Sequence, residues 1–251
     1  MTLHHHGYFS DKSDLYASAR PRYPDELFEF LCDQCPDLDR AWDCGTGSGQ
    51  AAISLAEHFW QVEATDVSPQ QIKNAASHER IHYSVQPAER TNFLDNAFSL
   101  VTVAQALHWF ALEEFWQEVQ RVLKPGGIFA TWTYTWFHVS DEIDQIIKAR
   151  LLDAIVGFWA PQNRLTWDGY RNVSFPFAEI PSPDIILAPQ WNLDQLLSYL
   201  GTWSATRRYI EVNGGGFFRE LEAALGNVWG NHEKKRAISM EFHLKVGRHE
   251  T

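Results

Sequence analysis

An α/β fold with a doubly wound, Rossmann-like and mostly parallel sheet is what residues 24–135 predict, from three observations. Short apolar runs alternate with segments of helical periodicity. One of those runs, "RAWDC", leads straight into the glycine-rich turn "GTGSGQ". The helical segments also carry helix-start signals. Strands joined by crossover helices of right-handed sense are the arrangement such alternation supports.

In chain order, "RPRYPDELFEFLCDQC" reads as a first helix. Pro24 suits the first helical position, Asp25 and Glu26 suit the positive end of the dipole, and Leu27, Phe28 and Leu31 form an apolar face. "DRAWDC" follows as a short strand, then the turn, then "GQAAISLAEHF" as a second helix. "QVEATD" is a buried strand ending in Asp66. In "DVSPQQIKNAASH" Ser68 can cap, Pro69 occupies the first turn, and Gln71 stands three residues after the cap, the spacing of a capping box. "IHYSV" and "AFSLVTVA" are strand-like, "LEEFWQEVQRVL" is helical up to the "KPGG" turn, and "IFATWTYT" is a further strand.

After Tyr134 the rhythm changes. Residues 136–205 are rich in Trp, Phe and Pro, with helical stretches near 141–156 and 192–200, and read as a cap insertion. Residues 206–251 read as the return to the sheet, with "AISMEFHLKVG" as an antiparallel final strand. The expectation is one domain of 251 residues with a cofactor core over 24–135.

Composition narrows the function. With 45% hydrophobic and 21% charged residues the chain is globular. No apolar run reaches the ~18 residues of a membrane span, and the N-terminus lacks the apolar core of a signal peptide, so a cytoplasmic protein is expected. A net charge of −11 without a Lys/Arg cluster argues against nucleic acid and anionic membranes as partners, leaving a small molecule. A monomer or a homodimer is compatible with all of this. Cys32 and Cys35 make a C-x-x-C, but they sit in a helical pattern with no second ligand pair at zinc-finger spacing, so they are expected to be structural and no metal is expected. His4, His5 and His6 read as a solvated tail.

The glycine turn can be tested against known ligands. A phosphate-binding P-loop needs a lysine after its last glycine, and none follows here. The dinucleotide fingerprint needs its third glycine where Gln50 stands; here that glycine comes one residue early. What remains is Asp43, Gly45, Thr46, Gly47 and Gly49: glycines that let backbone approach a ligand, with a carboxylate at the mouth to accept from an amine. That suits an amino-acid zwitterion better than a pyrophosphate. Asp66, 21 residues beyond Gly45, can accept from ribose hydroxyls. An adenosyl cofactor is the favoured reading, with NAD and an ordinary tight turn as the alternatives.

These segments resemble the class I S-adenosylmethionine-dependent methyltransferases: "WDCGTGSGQ" the first motif, "ATDVS" the acidic second motif, "QPAERTNFLDNAFSLVTVAQALHWF" the adenine segment and fourth strand, "RVLKPGGIFATWTY" the helix and fifth strand. "YASARPRYP", "ALHWF" and "YLGTWSATRRY" are similar to the branch that includes trans-aconitate methyltransferase-like proteins. The family often has a hydrophobic stretch before its first Asp; "LDRAW" in its place implies a short first strand.

The resemblance implies S-adenosylmethionine as cofactor. Gly45, Thr46, Gly47 and Gly49 would line its methionine part with Asp43 near the amino group. Asp66 would hold the ribose, Val67 would pack on adenine with Gln71 on the helix behind it, and Ala88 and Glu89 would meet the adenine edge. Gln105 would face the methionine moiety, and Tyr16 and Arg22 would fold over the site. His108 is the candidate catalytic residue, as base or as substrate contact, with packing as the competing role. Trp109, Trp132, Tyr134, Trp203 and Arg207 are the further substrate-binding candidates, the arginine suited to an acidic group. The expected activity is methyl transfer to a small molecule, a carboxylate among the possibilities. Its rivals are a non-catalytic module that binds the same cofactor and an NAD(P)-dependent oxidoreductase.

Overall fold

The computed structural model describes residues 20–250. Tyr16 and the histidines at 4–6 lie outside the described residues. The chain divides into two compact units, one of residues 23–135, 164–186 and 242–250, the other of 136–163 and 187–241 together with residues 20–22.

The first unit holds a seven-stranded sheet. Its strands are β1 (Arg40–Cys44), β2 (Gln61–Asp66), β3 (Ile81–Val85), β4 (Phe98–Ala104), β5 (Leu123–His138), β6 (Ala178–Ile180) and β9 (Ser239–Arg248), in the order β3-β2-β1-β4-β5-β9-β6. β1 to β5 pair in parallel, whereas β9 runs antiparallel to β6. Among the described residues this unit carries α1 (Asp25–Gln34), α2 (Gln50–Ala56), α3 (Pro69–Lys73), α4 (Leu112–Val122) and a short helical turn over Asn163–Trp167. Residues 98–103 of β4 are all buried, as a central parallel strand covered on both faces requires. β1 is only five residues long, in keeping with its polar approach "LDR".

Three local expectations are refined. Pro24 is the cap of α1 rather than its first helical residue, because its ψ of 148° is extended. The "KPGG" turn does not separate α4 from β5. The strand starts at Leu123, and Phe98 pairs with Leu123 while Leu100 already pairs with Ile128, so the residues between bulge out of the ladder. The capping box of α3 is half-formed: the Gln71 N–H donates to Ser68 Oγ over 3.3 Å, but the Ser68 N–H is taken by Asp66 Oδ1 at 2.8 Å.

The expected boundaries 136–205 and 206–251 give way to a finer division. Residues 164–186 belong with the sheet, because Phe175 and Phe177 pack against Phe129 of β5 with ring centroids 5.7 and 5.3 Å away, and β6 pairs with β9. The return to the sheet unit comes at 242.

The second unit contains α5 (Asp141–Ile147), a broken helical run over 148–158, the paired strands β7 (Gln190–Trp191) and β8 (Arg236–Ala237), and α6 (Leu193–Thr202), α7 (Ser204–Asn213) and α8 (Gly216–Trp229). A complete capping box, Asn192 with Gln195, starts α6. Trp203 packs among Tyr199, Phe137 and Trp159, at centroid distances of 5.6, 6.2 and 5.7 Å.

Phe129 is fully buried between Phe115 and Trp116 of α4 and Phe175 and Phe177 of the segment before β6. Phe129→Ala is expected to lower unfolding free energy by about 3–5 kcal/mol in urea titrations. Trp60→Ala, at a side chain 75% exposed, is expected to change it by less than about 0.5 kcal/mol. Equal losses at the two sites would contradict this account of the core.

Candidate functional site

Between β1 and β4 the strand order reverses, and open sheets of this kind form a crevice outside the carboxyl ends of such strands. The glycine turn leaves β1 at that place. Asp43 and Thr102 are register partners on the two strands. The Asp43 carboxylate accepts from Thr46 Oγ1 at 2.5 Å and from Thr102 Oγ1 at 2.9 Å. Asp43 is fully buried, so it braces the turn from beneath rather than standing at its mouth. The sequence expectation of a carboxylate at the mouth is corrected accordingly, because the group has no exposure and both oxygens serve hydroxyl groups inside the protein. Burial, opposed by those hydrogen bonds and reinforced by Asp66, pushes the carboxyl up to about 6.

The glycines of the turn have left-handed φ, +68° at Gly45 and +57° at Gly47. At Gly45 an added Cβ would come within 2.7 Å of the Ala106 Cβ and 3.0 Å of the Phe110 ring, so this glycine is needed for packing. At Gly47 nothing among the described residues lies within 4 Å of such a Cβ, so this backbone faces open space there. Gly49, also left-handed, precedes α2 beneath the Tyr83 hydroxyl.

Asp66, at the end of β2, ties the turn to the next helix. One carboxylate oxygen accepts from the Gly47 N–H at 2.9 Å and the other from the Ser68 N–H at 2.8 Å. A carboxylate oxygen can accept more than one hydrogen bond, so Asp66 retains capacity for hydroxyls. Val67 beside it is 68% exposed, an apolar side chain left in solvent. Gln71 is half-buried on α3. Ala88 is buried, and Glu89 spends an oxygen on the Ala111 N–H at 2.9 Å, holding the start of α4.

Gln105 leaves β4 with φ +58°, unusual for a residue with a side chain. Its backbone N–H donates to the Trp132 carbonyl at 3.0 Å, its Nε2 donates to the Tyr134 carbonyl at 3.2 Å, and Thr133 Oγ1 donates to its Oε1 at 2.9 Å. The side chain is thereby locked against β5. His108 lies on a single helical turn, Leu107–Trp109, and is buried, with Nδ1 3.0 Å from the Tyr170 hydroxyl. Trp109 is half-exposed. Tyr134 is buried near Tyr23.

Trp132 departs from expectation as a pocket wall. It has no exposure and is wedged edge-on against Tyr23 and Phe28, with centroids at 5.3 and 6.1 Å, so it belongs to the core under α1. Trp203 and Arg207 belong to the second unit, where Trp203 is buried and Arg207 is exposed on α7. Arg22 is exposed, whereas Arg20, two residues earlier, is half-buried.

The cysteines are free thiols. Burial pushes Cys32 up to about 11 and Cys35 up to about 12, and Cys35 Sγ donates to the Leu31 carbonyl at 3.2 Å. Thiols held in that form are poor nucleophiles and poor ligands. Among the described residues no group of three or more His, Cys, Asp or Glu could hold a metal ion, and no helix is long and apolar enough to cross a membrane.

Comparison with known proteins places this arrangement. The family described as a methyltransferase domain matches residues 42–131. The chain is similar to a solved structure assigned as a type II methyltransferase from Anaeromyxobacter dehalogenans. They are 38% identical with a TM-score of 0.83, over 91% of this chain and 97% of the other. A Dictyostelium discoideum protein assigned as a methyltransferase is 29% identical over 86% of this chain and 84% of its own length. The Aspergillus candidus methyltransferase cfoB is 27% identical over 75% of this chain and 66% of its own length.

The buried Asp43 yields a test. Its folded value of about 6 lies above its ordinary 3.8, so the folded protein binds more protons between those values and the ionised group costs stability above them. The gap corresponds to a cost of about 3 kcal/mol. Asp43→Asn, which keeps partners for both threonine hydroxyls, is expected to raise the urea midpoint above about pH 6 and to lose that gain below about pH 4. A variant destabilised at every pH would refute the assignment of cost to the charge.

Proposed function

The chain belongs to the class I S-adenosylmethionine-dependent methyltransferases, and from that premise we propose that it transfers a methyl group to a small-molecule acceptor, a carboxylate in the first instance. The observation that carries this reading is Gly47, whose left-handed backbone faces open space while its N–H is fixed on Asp66. In this reading Gly45, Thr46 and Gly47 hold the methionine part, Asp66 the ribose, Val67 a face of adenine, and Ala88 with Glu89 its edge. Gln105, anchored to β5, sits at the strand end where the reacting centre is expected. The Asp43 charge acts from below the turn, favouring a cationic amine above it across buried protein rather than by contact.

The cofactor supplies a sulfonium methyl group and a thioether leaving group that needs no acid. The protein's task is then orientation, which can supply roughly 7–11 kcal/mol of the barrier. A general base matters only where the acceptor carries a proton. A carboxylate carries none at neutral pH, and this agrees with a His108 that is buried and bonded to Tyr170. The likeness to the trans-aconitate branch supports the same acceptor class. We take the setting to be cytoplasmic, with no nucleic acid or membrane as partner.

S-adenosylhomocysteine at about 100 times its dissociation constant is expected to add ~2.7 kcal/mol to stability, read as a rise in Tm. Asp66→Ala is expected to abolish that rise and His108→Ala to retain most of it. Equal losses in the two variants would contradict the residue assignments.

The acceptor class is tested by incubating the protein with methyl-labelled cofactor and a metabolite extract. A methyl ester gives its label up as volatile methanol on mild base treatment. Label that stays non-volatile would exclude a carboxylate acceptor.

A further inference from the structure

We propose that Glu118 of α4 is a positioning residue for cofactor selectivity: it holds the loop after β3 so that the main chain at Ala88 reads the edge of adenine and rejects a base of opposite hydrogen-bonding pattern. The inference rests on the reading of Ala88 and Glu89 as the adenine edge and deepens it by naming what sets that edge in place.

Ala88 offers a base only main-chain groups, and Glu89 has one carboxylate oxygen committed to the Ala111 N–H at 2.9 Å. Recognition there depends on the course of the backbone. Residues 86–97 belong to no helix or strand, so side chains must fix that course. Gln86 begins the loop beside the site. Its N–H donates to the Asp66 carbonyl at 3.2 Å, and its Oε1 accepts from the Asn92 N–H at 2.9 Å, closing residues 86–92 into a ring. Glu118 anchors that ring to α4, for its Oε1 accepts from both the N–H and the hydroxyl of Thr91, at 2.7 and 2.5 Å. Arg121 completes the hold, donating to Glu118 Oε2 at 2.9 Å and to the Phe93 carbonyl at 2.8 Å. The Phe93 ring is set edge-on against Trp42 and Phe98, with centroids at 5.6 and 4.9 Å.

Of the polar side chains that hold this loop, Glu118 is the most deeply buried, at 6% exposed. Burial alone would raise its carboxyl, but hydrogen bonds from Arg121 and Thr91 outweigh it and hold the group below its ordinary value. The carboxylate is therefore charged at neutral pH, and its bonds are of the charge-assisted kind, roughly twice as strong as neutral ones. Removing it unpairs both donors of Thr91 and frees residues 88–91 to shift. Adenine presents an acceptor nitrogen beside a donor amino group, whereas hypoxanthine presents a donor and an acceptor at the same places. A main-chain edge fixed in position favours the first and leaves the second unpaired; an edge free to move distinguishes them less.

The test is the ratio of dissociation constants for S-inosylhomocysteine and S-adenosylhomocysteine, measured by calorimetry on the full chain. The unaltered protein is expected to favour the adenosyl compound, and Glu118→Ala to lower that preference by about tenfold. Glu63→Gln is the control, at a buried carboxylate of β2 held by Arg40, Gln61 and His82, and there the ratio should stay as it was. A general loosening of the fold would weaken both compounds alike and leave the ratio unmoved. Equal binding of the two compounds by the unaltered protein, an unchanged ratio in Glu118→Ala, or an equal fall in Glu63→Gln would overturn the inference and leave the cofactor in place. A protein that binds neither compound would overturn the cofactor reading and this inference with it. Should Glu118→Ala fail to fold, Thr91→Val removes one of the two bonds to the carboxylate while keeping the side-chain volume. The ratio should then fall by about threefold, and no fall would overturn the inference.

Discussion

The carboxyl edge of the sheet depends on one close approach, that of the turn after β1 to the chain leaving β4. Gly45 passes Ala106 with no room for a methyl group, and below that contact a single buried carboxylate, Asp43, joins the turn to β4 through two threonine hydroxyls. Strands neighbouring in a parallel sheet are about 4.8 Å apart, and only a backbone without a side chain can cross such a gap at the strand ends. Once the turn is pressed against β4, the Gly47 N–H is directed at Asp66, and Phe110 lies against Gly45. The open face at Gly47 is therefore the remainder of a turn otherwise closed by packing.

Rigidity at this edge comes from hydrogen bonds between strand ends more than from apolar contact. Gln105 is fastened to β5 by its main chain and by both ends of its amide, and Asp66 is fastened to the turn and to α3. The loop over 86–97 is held from α4 in the same manner. Glu118 accepts from the Thr91 backbone N–H at 2.7 Å, and Arg121 donates to the Phe93 carbonyl at 2.8 Å. Three connections around the crevice are thus pinned by side chains from elements behind them, which suits a site whose chemistry rests on geometry.

Much of the sheet was legible because its strands are bounded by residues that cannot continue them. β2 and β3 end where "QVEATD" and "IHYSV" end, and the short β1 follows from the polar residues before it. The places of Gly45, Asp66 and Gln105 at successive strand exits were legible for a similar reason, since their spacing fits that rhythm. What escaped was set by distant contact. Trp132 reads as a pocket aromatic along the chain, yet Tyr23 and Phe28 cover it. Ser68 and Gln71 have capping-box spacing, but Asp66 competes for the same N–H. Residues 164–186 carry no strand signal strong enough to place them with the sheet, and it is Phe175, Phe177 and the pairing of β6 that do so.

Asp43 has a consequence for the thermodynamics of occupancy. With its carboxyl pushed up to about 6, it shares its proton with solvent under mildly acidic conditions. In the proposed reading a cationic group above the turn favours the ionised form, so its arrival would be linked to departure of that proton. The heat of filling the site then includes the ionisation enthalpy of whichever buffer receives the proton, and the crevice becomes harder to fill as its surroundings acidify.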